Sequence, residues 1–160
     1  MTHDSQPIQN FYPEEATICY GCGRNNAHGH HIQTFWDGTT GTATFTPEAH
    51  HTAFPGVVYG GLIASIIDCH AMGTAIAAMH DRFGRTWSTD SLITCVTGNL
   101  NVTYHKPTPM GEALTVTATI DEITDKKAIV ACSLTVNGVE TVTARVVAVR
   151  VKARRDDALS

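Results

Sequence analysis

An α+β domain, one long helix buried against an antiparallel sheet, is what this chain predicts, on three observations. Leu62 to about Met79 is an apolar run, rich in alanine and longer than an ordinary strand. The second half of the chain holds four segments rich in Val, Ile and Thr: Ile93 to His105, Ala113 to Ile123, Ala128 to Val136 and Val139 to Val151. Asn137-Gly138, between the last two, is a hairpin turn because both residues tolerate positive φ. A sheet with a single helix must bury that helix on one face, which gives two layers.

In chain order, residues 1–30 read as an irregular segment, with one possible helical turn at Pro13-Glu14-Glu15. The opening MTHDSQPIQNFYPEE has no basic start and no apolar run, so it does not read as a signal peptide. Two short strands follow, His31 to Trp36 and Gly41 to Thr46, joined by Asp37-Gly38. The helix comes next. The four later strands are expected to form a meander, reversing at KPTPMGE, at Asp125-Lys126-Lys127 and at Asn137-Gly138. Residues 31–152 form a single domain on this reading, and 153–160 a flexible tail.

The 160 residues suffice for a substantial core, and 42% apolar with 16% charged residues reads as soluble and globular. A net charge of −4, with no basic stripe across the body, argues against nucleic acid as a partner. The basic run RVKARR, Arg150 to Arg155, is local and reads first as a solvated tail. Asp68 and His70 inside the long apolar run make a membrane span a poor reading. Five cysteines, an odd number, fit a reducing compartment, so a cytoplasmic location is expected. Cys19-x2-Cys22 followed by His28, His30 and His31 offers zinc-type ligands, but no second separated pair accompanies them. The expectation is no metal. Cys69, Cys95 and Cys132 read as small apolar residues, and Trp36, Phe83 and Trp87 as packing.

Placed at 100° steps, Leu62, Ile63, Ile66, Ile67, Cys69 and Ile76 gather on the side facing the sheet. The other side carries Gly61, Ala64, Ser65, Asp68, Ala71, Met72, Ala75 and Met79, small residues that let another backbone or a ligand approach Asp68.

YGGLIASIID resembles the His-Gly-Gly-(six residues)-Asp signature of hotdog-fold acyl-CoA thioesterases, in particular the PaaI-like branch, with Tyr59 in place of the histidine. CYGCGRNNAHG resembles the Cys-x-Gly-Cys-Gly opening of one of its subgroups, and TGNLNVTYHKPTPMGE the strand after the helix. The resemblance runs from about Cys19 to Arg150 and implies a hotdog fold, an antiparallel sheet wrapped around one long central helix. It also implies thioester hydrolysis at a dimer interface.

Glycines at a helix start offer unhindered amides at the positive end of the helix dipole, so Gly60 and Gly61 can hold an oxyanion. The resemblance makes the Gly60 amide the donor, Asp68 the nucleophile or general base, and Thr97 the hydroxyl that orients it. The small-lined face leaves room for water, which leans towards general base. Roughly 12 Å of helix separates Gly60 from Asp68. If both act on one thioester they come from two subunits, so a homodimer is expected, extendable to a dimer of dimers. Tyr59, Gly61, Ser65, Asn99 and Lys106 are the candidates for binding substrate, a coenzyme A thioester, and no cofactor is required. Lys106, Arg145, Arg150 and Lys152 are cations that could meet its phosphates. Strict alternation puts Val96, Leu100, Val102 and Tyr104 on one strand face, and Cys95, Thr97, Asn99, Asn101 and Thr103 on the other.

Two departures weigh on activity. Tyr59 replaces the histidine, and Ala53 stands where many PaaI-like enzymes carry asparagine, with His50 and His51 nearby. They motivate an alternative, a non-catalytic module that binds acyl-CoA or lipid. A hotdog dehydratase is disfavoured because no Asp–His pairing of that type is evident.

Overall fold

The computed structural model describes residues 5–152; the expected flexible tail, 153–160, lies outside the described residues. Six strands build one antiparallel sheet: β1 (Phe35–Trp36), β2 (Thr40–Phe45), β3 (Thr94–Tyr104), β4 (Leu114–Ile123), β5 (Lys127–Val136) and β6 (Val139–Val151). Their order across the sheet is β1-β2-β4-β5-β6-β3. A single long helix, α1 (Gly60–Arg82), packs against it, touching β1 through β6. This is the hotdog arrangement that the sequence motifs imply.

The expected four-stranded meander holds only for β4, β5 and β6. β4 already has β2 and β5 as neighbours, so β3 has no free edge there and pairs with β6 instead. The chain crosses through α1 from one side of the sheet to the other, and β3 becomes an edge strand. The first strand is also shorter than expected. His31 has φ 53°, and Ile32 and Thr34 commit backbone groups to Gly21 and Ile8 of the N-terminal segment. Only Phe35 and Trp36 remain to pair with β2.

The N-terminal segment is irregular, with short 3-10 turns at Ile8–Phe11 and Glu14–Ala16. It nonetheless supplies Ile8, Tyr12 and Cys22 to the core. A polar chain fastens it there. Gln9 Oε1 accepts the Thr34 amide at 2.8 Å, and Gln9 Nε2 donates to Thr34 Oγ1 at 3.3 Å. Thr34 Oγ1 lies 3.0 Å from His70 Nδ1, whose Nε2 lies 3.2 Å from the Gly41 carbonyl. A carbonyl only accepts, so Nε2 carries the proton and Nδ1 accepts from the threonine. Burial holds His70 neutral, pushed down to about 4.

Leu62, Ile63, Ile66, Ile67 and Ile76 are buried as expected. The supposed open face is not continuous, however, because Ala71, Met72, Ala75 and Met79 are buried within the same chain. Every residue from His70 to His80 is covered, so the accessible small-residue face ends near Asp68. Cys69 turns towards Cys19 of the N-terminal loop rather than into the sheet. Trp36 and Trp87 are core residues, the Trp36 indole donating to Asp81 at 2.6 Å.

Candidate active site

Asp68 sits where the exposed half of α1 meets the covered half, and is itself half-buried. Thr97 of β3 donates from Oγ1 to Asp68 Oδ1 at 2.5 Å, a short bond of the kind a charged acceptor makes. The pair opens onto a cavity of about 390 Å³ whose wall includes Tyr12, Met72, Ile76, Ile93 and Cys95, largely apolar.

β3 reaches this geometry through a bulge. Thr97 opposes Ala148 and Asn99 opposes Val147, leaving Gly98 as the extra residue. A side chain there would press on Val149, at 2.7 Å from its Cβ position, so glycine permits the bulge. The extra residue reverses the alternation that follows. Thr97 and Tyr104, assigned to opposite faces above, therefore both reach α1. Asn99 falls out of phase with Tyr104, is exposed and does not line the cavity.

The other half of the expected site lies at the helix start. Phe54 to Val57 make a turn that closes with the Val57 amide on the Phe54 carbonyl, 2.9 Å, and the Tyr59 amide donates to the His51 carbonyl at 2.9 Å. Tyr59 then caps α1 in an extended conformation, so Gly60 and Gly61 are its first two residues. Amides at these positions have no acceptor inside the helix. Tyr104 Oη donates to the Gly60 carbonyl at 2.6 Å and braces this end. Tyr59, Gly61 and Ser65 line a second cavity of about 330 Å³, together with Tyr20, His30 and His51. The His51 ring accepts the Glu48 amide at 2.9 Å and packs edge-on to His30 and tilted against Phe45. Burial lowers the pKa of both His30 and His51, helped at His30 by the His51 ring and at His51 by the His50 ring.

One chain thus gathers Asp68 with Thr97, and Gly60 with Gly61, Tyr59 and Ser65, on two separate patches of α1. Lys106 is exposed just past Tyr104, at the Gly60 end rather than the Asp68 end. Arg145 is paired with Asp121 and Glu122, and Arg150 lies 5.0 Å from the centre of the Phe83 ring.

Two features escaped the sequence. Strict alternation puts Tyr104 on the face opposite Thr97, and its only signal in the sequence is an aromatic closing a strand beside the Lys106-Pro107 reversal. Cys19, Cys22 and Cys69 come together at the cavity wall, their sulfurs all within 4.8 Å of one another. The Cys69 thiol is pushed far up, first by its bond with Cys22 and then by burial, and burial raises the Tyr12 hydroxyl as well. The histidines that follow Cys22 in sequence do not join the sulfur cluster: His31 Nε2 is bonded to the Asn26 carbonyl at 2.6 Å and His30 packs on Tyr20.

Residues 55–143 match the model of the Thioesterase superfamily. A thioesterase superfamily protein of Shewanella loihica PV-4 is 36% identical, with TM-score 0.64, covering 79% of this chain and 96% of that one. The smu.793 protein of Streptococcus mutans UA159, solved bound to acetyl CoA, shares the fold at 14% identity, TM-score 0.62, covering 78% of this chain and 91% of that one. Acyl-coenzyme A thioesterase THEM4 of Mus musculus is 32% identical over 85 residues, 53% of this chain and only 31% of the mouse protein. With the family match covering more than half its length and both halves of the helix motif inside it, the chain belongs to the thioesterase superfamily.

Proposed function

We propose that the protein hydrolyses an acyl- or aryl-coenzyme A thioester to the free acid and coenzyme A, in a site shared between two copies of the chain. The observation that carries this reading is the Thr97–Asp68 bond at the mouth of an apolar cavity, in a chain of this superfamily. The relation to a mouse acyl-coenzyme A thioesterase and the acetyl CoA bound by a protein of the same fold support the choice of thioester.

The Gly60 amide of one subunit receives the thioester oxygen, and Asp68 of the other faces the carbonyl carbon. Thr97 holds Oδ1, so Oδ2 takes a proton from water while the hydroxide adds to the carbonyl. Collapse of the tetrahedral intermediate breaks the C–S bond, and the proton leaves with the coenzyme A sulfur. Tyr59, Gly61 and Ser65 border the thioester from the Gly60 side, and Lys106 offers a cation to the phosphates there.

Support for a homodimer comes from distance and from β3. Two patches roughly 12 Å apart along one helix cannot serve one carbonyl. β3 is an eleven-residue edge strand without a charged side chain, and Val96 (48%) and Tyr104 (49%) stand exposed on it. Such an edge invites a second copy. The odd number of cysteines, five, supports a cytoplasmic location for this activity.

Thiol release from a panel of acyl-CoAs differing in chain length and aromaticity tests the proposal, wild type against Asp68→Asn. Equal turnover by the two proteins would overturn it. Tyr59, exposed and packed over Gly61, favours the second reading, a binding module without hydrolysis. That reading predicts saturable acyl-CoA binding with no turnover above background.

A further inference from the structure

We propose that Cys19, Cys22 and Cys69 form a site for one thiophilic cation of the Zn²⁺ type, which ties the N-terminal loop to α1 beside Asp68. The Sγ atoms of Cys19 and Cys69 are 3.8 Å apart, and all three sulfurs lie within 4.8 Å of one another. Two thiolates on a tetrahedral zinc, each about 2.3 Å from the metal, stand about 3.8 Å apart. A disulfide would need about 2.05 Å.

The loop is shaped around the third sulfur. Gly21, between the two loop cysteines, passes so close to Cys69 that a Cβ on it would lie 2.1 Å from that Sγ. The Gly23 amide closes the loop on the Cys19 carbonyl at 2.8 Å. Two ligands on a Cys-x2-Cys turn and a third on a separate helix make a convergent set, which a chance pairing of apolar cysteines would not need. The other two cysteines lie outside the set: Cys95 lines the same cavity but turns to Met79, and Cys132 is buried in β5. All three sulfur ligands line the cavity, so the fourth coordination position opens into it, on the wall that carries Asp68. The ion is no part of the hydrolysis proposed above, and its binding stands or falls separately.

The test uses the full chain, reduced and stripped with a chelator, then titrated with Zn²⁺ and with Cd²⁺. One ion per chain is expected, with the ultraviolet thiolate-to-cadmium charge-transfer band and a rise in Tm on Zn²⁺ addition. Cys19→Ala and Cys69→Ala should lose the band while Cys132→Ala keeps it. The proposal is overturned if the wild type takes up no ion, or if Cys69→Ala binds as the wild type does. A Cys19–Cys69 disulfide with no ion, seen by native mass spectrometry of protein purified without reductant, overturns it equally. The first readout is on the wild type, so a variant that fails to fold does not leave the question open.

Discussion

Between Gly60 and Asp68 one side of α1 stays accessible, whereas from His70 to His80 the same helix is covered all round. The two halves are alike in composition, each mixing small residues with isoleucine. They differ in what lies over them. Gln9 and Thr34 press on Gly73, Thr34 and Gly41 grip His70, and Cys95 of β3 meets Met79. Among the described residues the first half is less covered: Gly61 has only the exposed Tyr59 ring over it and stays exposed, and Ala64 and Ser65 are half-buried. A run of small residues therefore stays accessible only where the chain's own cover stops, and it stops beside Asp68.

Substitutions that separate the halves sharpen this contrast. Asp68→Asn should cut turnover by about 10²–10⁴-fold, the usual range for a positioned base, while leaving Tm close to wild type. A large loss of Tm would mean that Asp68 belongs to the structural half. Met79→Ala should do the reverse, costing about 2–5 kcal/mol in urea unfolding because the side chain is fully buried. Its turnover per folded molecule should persist.

The covered half also predicts a pH dependence. The fold binds His70 neutral, with its pKa lowered to about 4, whereas the unfolded chain titrates near the ordinary value of about 6.5. The unfolded state thus takes the proton first. Stability is full above about pH 6.5 and drains as pH falls towards about 4, a loss on the order of 3 kcal/mol. Urea unfolding across that interval reads it, and His70→Gln should make the profile shallower, leaving the smaller part due to His30, His51 and His80, whose pKa values burial also lowers. The smallest effect expected is at Thr97→Val, about a tenfold loss of kcat for one hydrogen bond to a charged acceptor. An unchanged kcat would reduce the Thr97–Asp68 bond to a structural contact.

Much of this was legible in the residues, and the rest has physical reasons for being hidden. The helix, the later strands and the Asn137-Gly138 hairpin depend on neighbours in sequence, which local pattern reports. β3 lying beside β6 depends on β2 having occupied the edge of β4, a competition between distant segments. At the site, Asp68 stands out as a carboxylate inside an apolar helix, whereas Thr97 is singled out only by the family resemblance. Tyr104 does not stand out, because a single bulge at Gly98 reverses the parity of every later side chain on β3. The sequence makes Cys69 look like a small apolar residue, because nothing near it indicates that Cys19 and Cys22 return to meet it.

The claim that one site draws on two chains is tested most directly by mixing two disabled proteins. Gly60→Pro removes the amide at the first helical position, where proline is tolerated, and Tyr59 before it already has the extended conformation that proline demands. Asp68→Asn removes the base. Each alone should be inactive; after subunit exchange, an equimolar mixture should regain about a quarter of wild-type turnover, since half the dimers carry one intact site of two. A mixture that exchanges subunits yet stays as inactive as its parents would contradict the shared site.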